Sequence, residues 1–326
     1  MGTFQERLEA VLARYFICCA DEHPAEHKSL LDPLTVTLSH VAPALEGCAH
    51  AFKRNLKAVV DTTAIPFQLT SASVRGRRFQ QLHIAARIGM LRRVKAGETL
   101  PEALEREAYE DAQKEMDREL QDKDKQEQLA RATVEELHAA LANPAVASAA
   151  AEILRQGEVL TWGALEVLSR DLFVAILNAR PAFAGVVAQD EDCRRLFQMK
   201  ALPLETLSTY AFDVSGHMGS ILADQHPVDS VPSMKAVFRT LFPGNERLRE
   251  LLSNRSLWLI SQRRHLIVHR RAIVDDTYIS NTGDAVAPGD ELCISAATLE
   301  ADLVLIRDIG LELILSGTAL LREGDA

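Results

Sequence analysis

The chain has 326 residues, of which 47% are hydrophobic and 25% charged, proportions that exclude wholesale disorder and allow two domains or one domain with a helical extension. Its formal net charge of −10 and pI near 5.5 exclude a protein that coats nucleic acid through bulk charge, because phosphate binding relies on clustered cations that release counterions. Five scattered cysteines (Cys18, Cys19, Cys48, Cys193, Cys293) with no C-x-x-C spacing give neither a disulfide framework nor a thiolate zinc site, and fit a reducing cytoplasm.

The opening stretch "MGTFQERLEAVLARYFICC" carries Glu6 and Glu9 inside its apolar pattern, which is not the uninterrupted core of a signal peptide. Glu6 also stands where a myristoylation signal has Ser or Thr. From there on, apolar residues recur at three- and four-residue spacing and alternating runs are nearly absent, so the expected fold class is all-α. Residues 1–100 read as an irregular helical region divided by Pro24, Pro33, Pro43 and Pro66 and ending in a basic stretch, "RGRRFQQLHIAARIGMLRRVK".

Residues 101–144 read as a charged helical linker in which Ala108, Ala112, Met116 and Leu120 stand four apart and no glycine interrupts. The pattern predicts one long helix, or two with a break near Lys123 to Lys125, whose thin apolar stripe needs a partner helix. The preceding basic run, Arg77 and Arg78 included, is a candidate guide for RNA. Its commoner meaning is a solvated face salt-bridged to the acidic helix that follows.

Residues 145–326 hold the longest apolar helices and are the expected self-sufficient domain, with helices over about 148–178, 203–224, 232–242, 246–272 and 296–322. Asn245, after Pro243 and Gly244, is the expected N-cap of the 246–272 helix. Between Ile273 and Ser295 the chain turns loop-like, with "ELCIS" a short extended piece. The last helix is punctuated by Asp302, Arg307, Asp308 and Glu312, which makes it amphipathic and no membrane span. Trp162 and Trp258 stand at helical spacing with leucines and read as core in preference to base-stacking platforms.

The segment "SQRRHLIVHRRAIVDDTY" (261–278) concentrates four arginines and two histidines beside an apolar "LIV". At about 100° per residue, His265 and His269 lie one turn apart on one face and Arg264 lies roughly 140° around from His269. Three chemistries suit this pattern. His-x-x-x-His ligates zinc in some helices, with Asp275 or Asp276 as a third ligand, but "HLIVH" has Leu where the zinc-protease helix has its catalytic Glu. Arg270 and Arg271 alone would offset the macrodipole at a helix C-terminus. Cleavage of RNA through the ribose 2′-OH needs a group that exchanges protons near neutral pH and a fixed cation beside the phosphate, which His and Arg supply without a metal.

Arg264, the polar His265, three apolar residues and His269 resemble the R-x4–6-H motif of HEPN domains. The context "LWLISQRRHLIVHRRAIVDDTYI", the "GD" loop and final amphipathic helix, and upstream "TWGALEVLSRDLFVAILNARP", are similar to a prokaryotic HEPN branch over about residues 145–326. The resemblance implies a HEPN-like helical bundle and a metal-independent endoribonuclease, in a toxin or antiviral-defence role, with RNA as substrate, no cofactor and no metal. It further implies a homodimer with two motifs converging, and a partner of the antitoxin or defence-system kind. Arg264 would then stabilise the scissile phosphate and His269 act as general acid/base. His265 would stand at the supporting position, commonly Asn, and Glu166 or Asp171 would assist from the first helix. Arg263 offers a competing register and otherwise snorkels from the apolar stripe. Arg270 and Arg271 are further RNA-contacting candidates. HEPN domains also serve as non-catalytic RNA- or nucleotide-binding and dimerisation modules, and that alternative stays open.

Overall fold

The computed structural model describes residues 30–95, 98–197 and 203–323. The readings of the N-terminal stretch, including Cys18 and Cys19, lie outside them. The described residues form fourteen α-helices and one isolated antiparallel bridge, Ile273 to Glu291. In chain order the helices are α1 (Asp32–Leu38), α2 (Glu46–Leu91), α3 (Glu102–Gln121), α4 (Lys123–Ala140), α5 (Pro144–Ala179), α6 (Ala182–Gln189) and α7 (Glu191–Phe197). There follow α8 (Leu204–Thr209), α9 (Met218–Gln225), α10 (Val231–Leu241), α11 (Glu246–Ser253), α12 (Arg255–Arg270), α13 (Asp276–Thr282) and α14 (Ala296–Arg322). The all-α expectation holds, and no helix among the described residues is long and apolar enough to cross a membrane.

The chain divides into two compact units. Among the described residues, 64–150 form one, and 30–63 with 151–323 form the other. The motif's unit therefore draws on the first part of α2, a 46-residue helix that continues through Pro66 where the sequence suggested a break. Proline there removes one i→i−4 hydrogen bond without ending the helix.

In the 64–150 unit, the helical pair expected of residues 101–142 is present, with the break at Asp122. That residue leaves the helical region (φ −87°, ψ 119°) and caps α4 by accepting from the Lys125 N–H at 3.0 Å. Ala108, Ala112 and Met116 are buried, and Phe67, Val134, Leu137 and Ala150 form a small core. The basic run pairs with acidic residues: Arg78 with Glu119 at 2.5 Å, Arg87 with Glu105 at 2.6 Å, Arg93 with Glu107 at 2.7 Å, and Arg77 with Glu136. The hydrogen bond from Arg78 holds the Glu119 carboxyl below its ordinary range. Arg77 and Arg78 are thus matched by carboxylates. The exposed pairs of Arg77, Arg87 and Arg93 contribute about 0–1 kcal/mol each, whereas the Glu119 that Arg78 meets is buried.

The other unit is built around α14, whose Leu299, Leu303, Ile306, Ile309, Leu313 and Ile314 are fully buried. On α5, Leu168 stands beside Gly310 and Leu172 and Ile176 beside Gly317 of α14; these three are buried too, each contributing about 1.5–3 kcal/mol by leaving water. Gly310 lets the Phe52 ring of α2 and Leu168 of α5 meet α14, since a Cβ there would collide with both. That approach positions α5, the helix that faces the motif.

Two sequence expectations change in this unit. The 246–272 helix is split: Asn254 takes an extended conformation (φ −60°, ψ 130°) and its side chain accepts from the Ser256 N–H at 2.8 Å. Asn245 does cap a helix, accepting from the Leu248 N–H at 2.9 Å, but that helix is α11, and Asn254 caps the one carrying the motif. The 203–224 helix is also broken, with Ala211 and Phe212 in the left-handed region between α8 and α9.

Candidate functional site

Helix α12 is oriented by Arg263, the first arginine of the Arg-Arg-His stretch. Arg263 turns inward, its side chain 11% exposed, and donates from Nε to Glu158 Oε1 of α5 at 2.7 Å and from Nη2 to Asp302 Oδ2 of α14. The snorkelling expected of Arg263 is therefore corrected, because carboxylates inside the unit hold its head there. Burial pushes the Glu158 carboxyl up, against the pull of Arg263 and with the Asp302 charge adding to the rise, to about 8. Burial raises Asp302 as well. Glu158 Oε2 is buried with no hydrogen-bond partner among the described residues. Burial works against the Arg263 charge, but the two carboxylates outweigh it and raise its pKa. One guanidinium between two carboxyls is an arrangement that favours keeping one proton on the acidic pair.

The sign of the resulting pH dependence follows directly. A carboxyl whose folded pKa lies above its unfolded value binds more protons when folded, so stability falls as pH rises from the ordinary Glu range, near 4.3, toward 8. Glu158→Gln keeps the shape and an acceptor for Arg263 while removing that titration. The variant is expected to lose less Tm than the parent between pH 5 and pH 8, by about 2–4 °C for each kcal/mol removed. Parallel slopes in thermal melts at the two pH values would contradict the shared-proton arrangement.

With Arg263 fixed inward, the next residue is carried about 100° around the helix. Arg264 is half-buried and reaches toward Glu166 of α5, Nη2 to Oε2 at 3.8 Å. His265 and His269 are exposed, their ring centroids 4.6 Å apart at an interplanar angle of 47°. The structure thus brings Arg264 beside Glu166 and His265 beside His269. Asp171 is not part of this group: it stands beside Cys48, whose thiol is pushed up to about 11, by burial first and then by the Asp171 charge. Burial also raises the Asp171 carboxyl itself.

The end of α12 is shaped by two non-glycine residues in the left-handed region, Arg271 (φ 53°) and Ala272 (φ 63°). The Ala272 N–H donates back to the Leu266 carbonyl at 3.2 Å, closing the helix, and Leu292 N–H donates to the Ala272 carbonyl at 2.7 Å. Arg271 is exposed at this turn. Arg270 faces Asp275, Nε to Oδ2 at 3.4 Å, while Asp275 Oδ1 accepts from the Tyr278 N–H at 2.8 Å and caps α13. The Asp275 carboxylate is therefore engaged on both oxygens. Among the described residues, no group of three or more His, Cys, Asp or Glu is arranged to hold a metal ion.

Helix α13, read from sequence as loop, was missed by the reading, as were the short helices α6 and α7. Its signals are present in "DDTYISNTG": an aspartate cap, a second aspartate in the first turn, and Gly283 at φ 70° just past the end. It is tied to the start of α12 by Arg255 Nη2 donating to the Thr282 carbonyl at 2.7 Å. Between α12, α13 and the beginning of α10 lies a cavity of about 530 Å³. Arg264, His265 and Arg270 stand on its wall, opposite chain segments carrying Asp229 and Tyr278. Trp162 reaches it from the core at 3% exposure, whereas Trp258 is 39% exposed at its edge, so the core assignment of Trp258 is corrected.

No family model, curated protein or solved structure matches the chain.

Proposed function

We propose that the chain is a metal-independent endoribonuclease of HEPN type, acting in a toxin or antiviral-defence role. In this reading Arg264 stabilises charge on the scissile phosphate, and His269 takes the proton of the attacking ribose 2′-OH or returns one to the leaving oxygen. His265, against the His269 ring, steadies that imidazole, and Glu166 steadies the Arg264 guanidinium. The reaction class requires no metal or cofactor. Two copies of the chain would bring two such motifs to one RNA.

The observation that carries the reading is the division of labour between neighbouring arginines. Arg263 is committed to buried carboxylates, whereas Arg264 shares a cavity wall with one of two adjoining exposed imidazoles. A cation and a proton carrier open to solvent are what phosphodiester cleavage through the 2′-OH needs.

Mixed cellular RNA incubated with the purified full chain in excess EDTA tests it. Fragments that accumulate in chelator and fail to accumulate with His269→Ala are the expected result. RNA binding without cleavage would instead favour the non-catalytic binding and dimerisation module, and cleavage abolished by EDTA would overturn the metal-independent reaction.

A further inference from the structure

We propose that the cavity beside Arg264 receives one unstacked nucleobase of single-stranded RNA, with the Trp258 indole as its stacking face and the Gln262–Asn281 amide pair as the reader of its edge. The proposal rests on the reading above in one respect only, that the ligand is RNA whose phosphate meets Arg264.

Trp258, Gln262, His265 and His269 follow one another at intervals of four, three and four residues, which keeps all four within about 40° of one helix face. A line of groups therefore runs along α12 from an indole through an amide to the two imidazoles. The first three line the cavity, and the fourth adjoins the third at 4.6 Å. At about 530 Å³ the space falls within the range of about 300–1,000 Å³ usual for small-molecule pockets. Sequence-reading proteins bind RNA largely through bases splayed out of the strand, stacked on aromatic rings and hydrogen-bonded at their edges.

The indole supplies the stacking surface. Its companion Trp162 reaches the cavity with 3% of its surface exposed, while Trp258 leaves 39% of its surface exposed where the cavity opens. A large apolar ring at the edge of a polar cavity has a use when a planar ligand covers it.

The amides supply the edge. Asn281 Nδ2 donates to Gln262 Oε1 at 3.3 Å, and Gln262 Nε2 has only a long contact of 3.5 Å to Ser261 Oγ. That bond uses one donor and one acceptor and leaves the pair with an N–H on one amide and a carbonyl oxygen on the other. Exchanging the oxygen and nitrogen of both amides leaves the same complement. A neighbouring donor and acceptor match the edge of an unpaired base, as single Asn and Gln side chains do for adenine.

The test uses the full-length His269→Ala chain, so that no ligand turns over, titrated with the four nucleoside 3′-monophosphates and with ribose 5-phosphate as a base-free control. At least one nucleotide is expected to bind more tightly than ribose 5-phosphate and to quench indole emission. Trp258→Leu should weaken that nucleotide about 5- to 150-fold, the range for loss of one base-stacking ring, and Trp258→Phe should restore most of it. Asn281→Ala should change the order of preference among the four. Nucleotides binding no better than ribose 5-phosphate, or unchanged affinity in Trp258→Leu, would overturn the base pocket. Wild-type cleavage in EDTA keeps the two readings apart. Cleavage with an unchanged sequence preference in Trp258→Leu removes the pocket and leaves the catalytic reading, whereas base-dependent binding without wild-type cleavage removes the catalytic reading and leaves the pocket.

Discussion

Arg263→Ala is expected to lower the unfolding free energy by about 3–5 kcal/mol, the usual cost of leaving one side of a buried ion pair uncompensated. Against a total stability of about 5–15 kcal/mol, that is a large share. The loss has two sources. Glu158, fully buried, and Asp302, 6% exposed at its side chain, would face each other with no cation between them. The link from α12 to both α5 and α14 would also go. Both carboxyls would then be held protonated in the folded state, so the deficit should be smaller at pH 5 than at pH 8. Arg263→Lys should recover only part of it, because a single ammonium does not present the fork that reaches two carboxylates at once. Replacing all three residues by apolar ones of similar volume should restore much of the stability, since buried ion networks add little over hydrocarbon. Urea titrations of the parent and the three variants at both pH values check this, and a loss below about 1 kcal/mol for Arg263→Ala would mean that the network does not form.

How far the sequence exposes this arrangement depends on which physical signal each residue carries. The long apolar periods of α5 and α14 are legible because burial repeats every turn, and their spans agree with the pattern to a few residues. The break at Asn254 is hidden, since the apolar positions of α11 and α12, from Leu248 to Ile267, keep helical spacing across it. Only the capping side chain marks it, and the stronger Pro-Gly-Asn signal lies ahead at residues 243–245. Helix α13 is hidden for the opposite reason: seven residues are too few for a period to register, so its caps are the whole signal. The readings of Trp258 and Arg263 fail through one shared cause. Spacing places a side chain on a face, but whether that face meets hydrocarbon, carboxylates or an open cavity is decided by distant helices, here α5, α10 and α14. By contrast the pairing of the basic run with the acidic helix was legible in composition, because opposite charges in adjoining helices have few other ways to be matched.

Arg264→Ala is expected to lower RNA cleavage about 10²–10³-fold, as removal of one charge-stabilising donor commonly does. His269→Ala should lower it about 10²–10⁴-fold, the range for a lost general acid or base. Neither change should unfold the chain. Arg264 is partly exposed and its acidic neighbour Glu166 lies 3.8 Å away, a separation at which a half-exposed pair contributes about 0–1 kcal/mol. His269 is exposed, and its ring adjoins that of His265. Melting curves within a few degrees of the parent are therefore expected beside the lost activity. This is the reverse of Arg263→Ala, one residue earlier, where stability falls first. Arg264→Lys should retain more activity than alanine but less than the parent, since it keeps the charge and loses the two-pronged geometry. Glu166→Gln separates positioning from chemistry: if the carboxylate only orients the guanidinium, the variant should lower kcat by less than Arg264→Ala does, with KM little changed, and its pH–rate profile should keep the parent's shape. The double variant Arg264→Ala/His269→Ala should fall short of the product of the two single losses, because groups that act on one transition state are not additive. Cleavage undiminished in either single variant would remove Arg264 or His269 from the reaction and leave the exposed end of α12 as a binding surface alone.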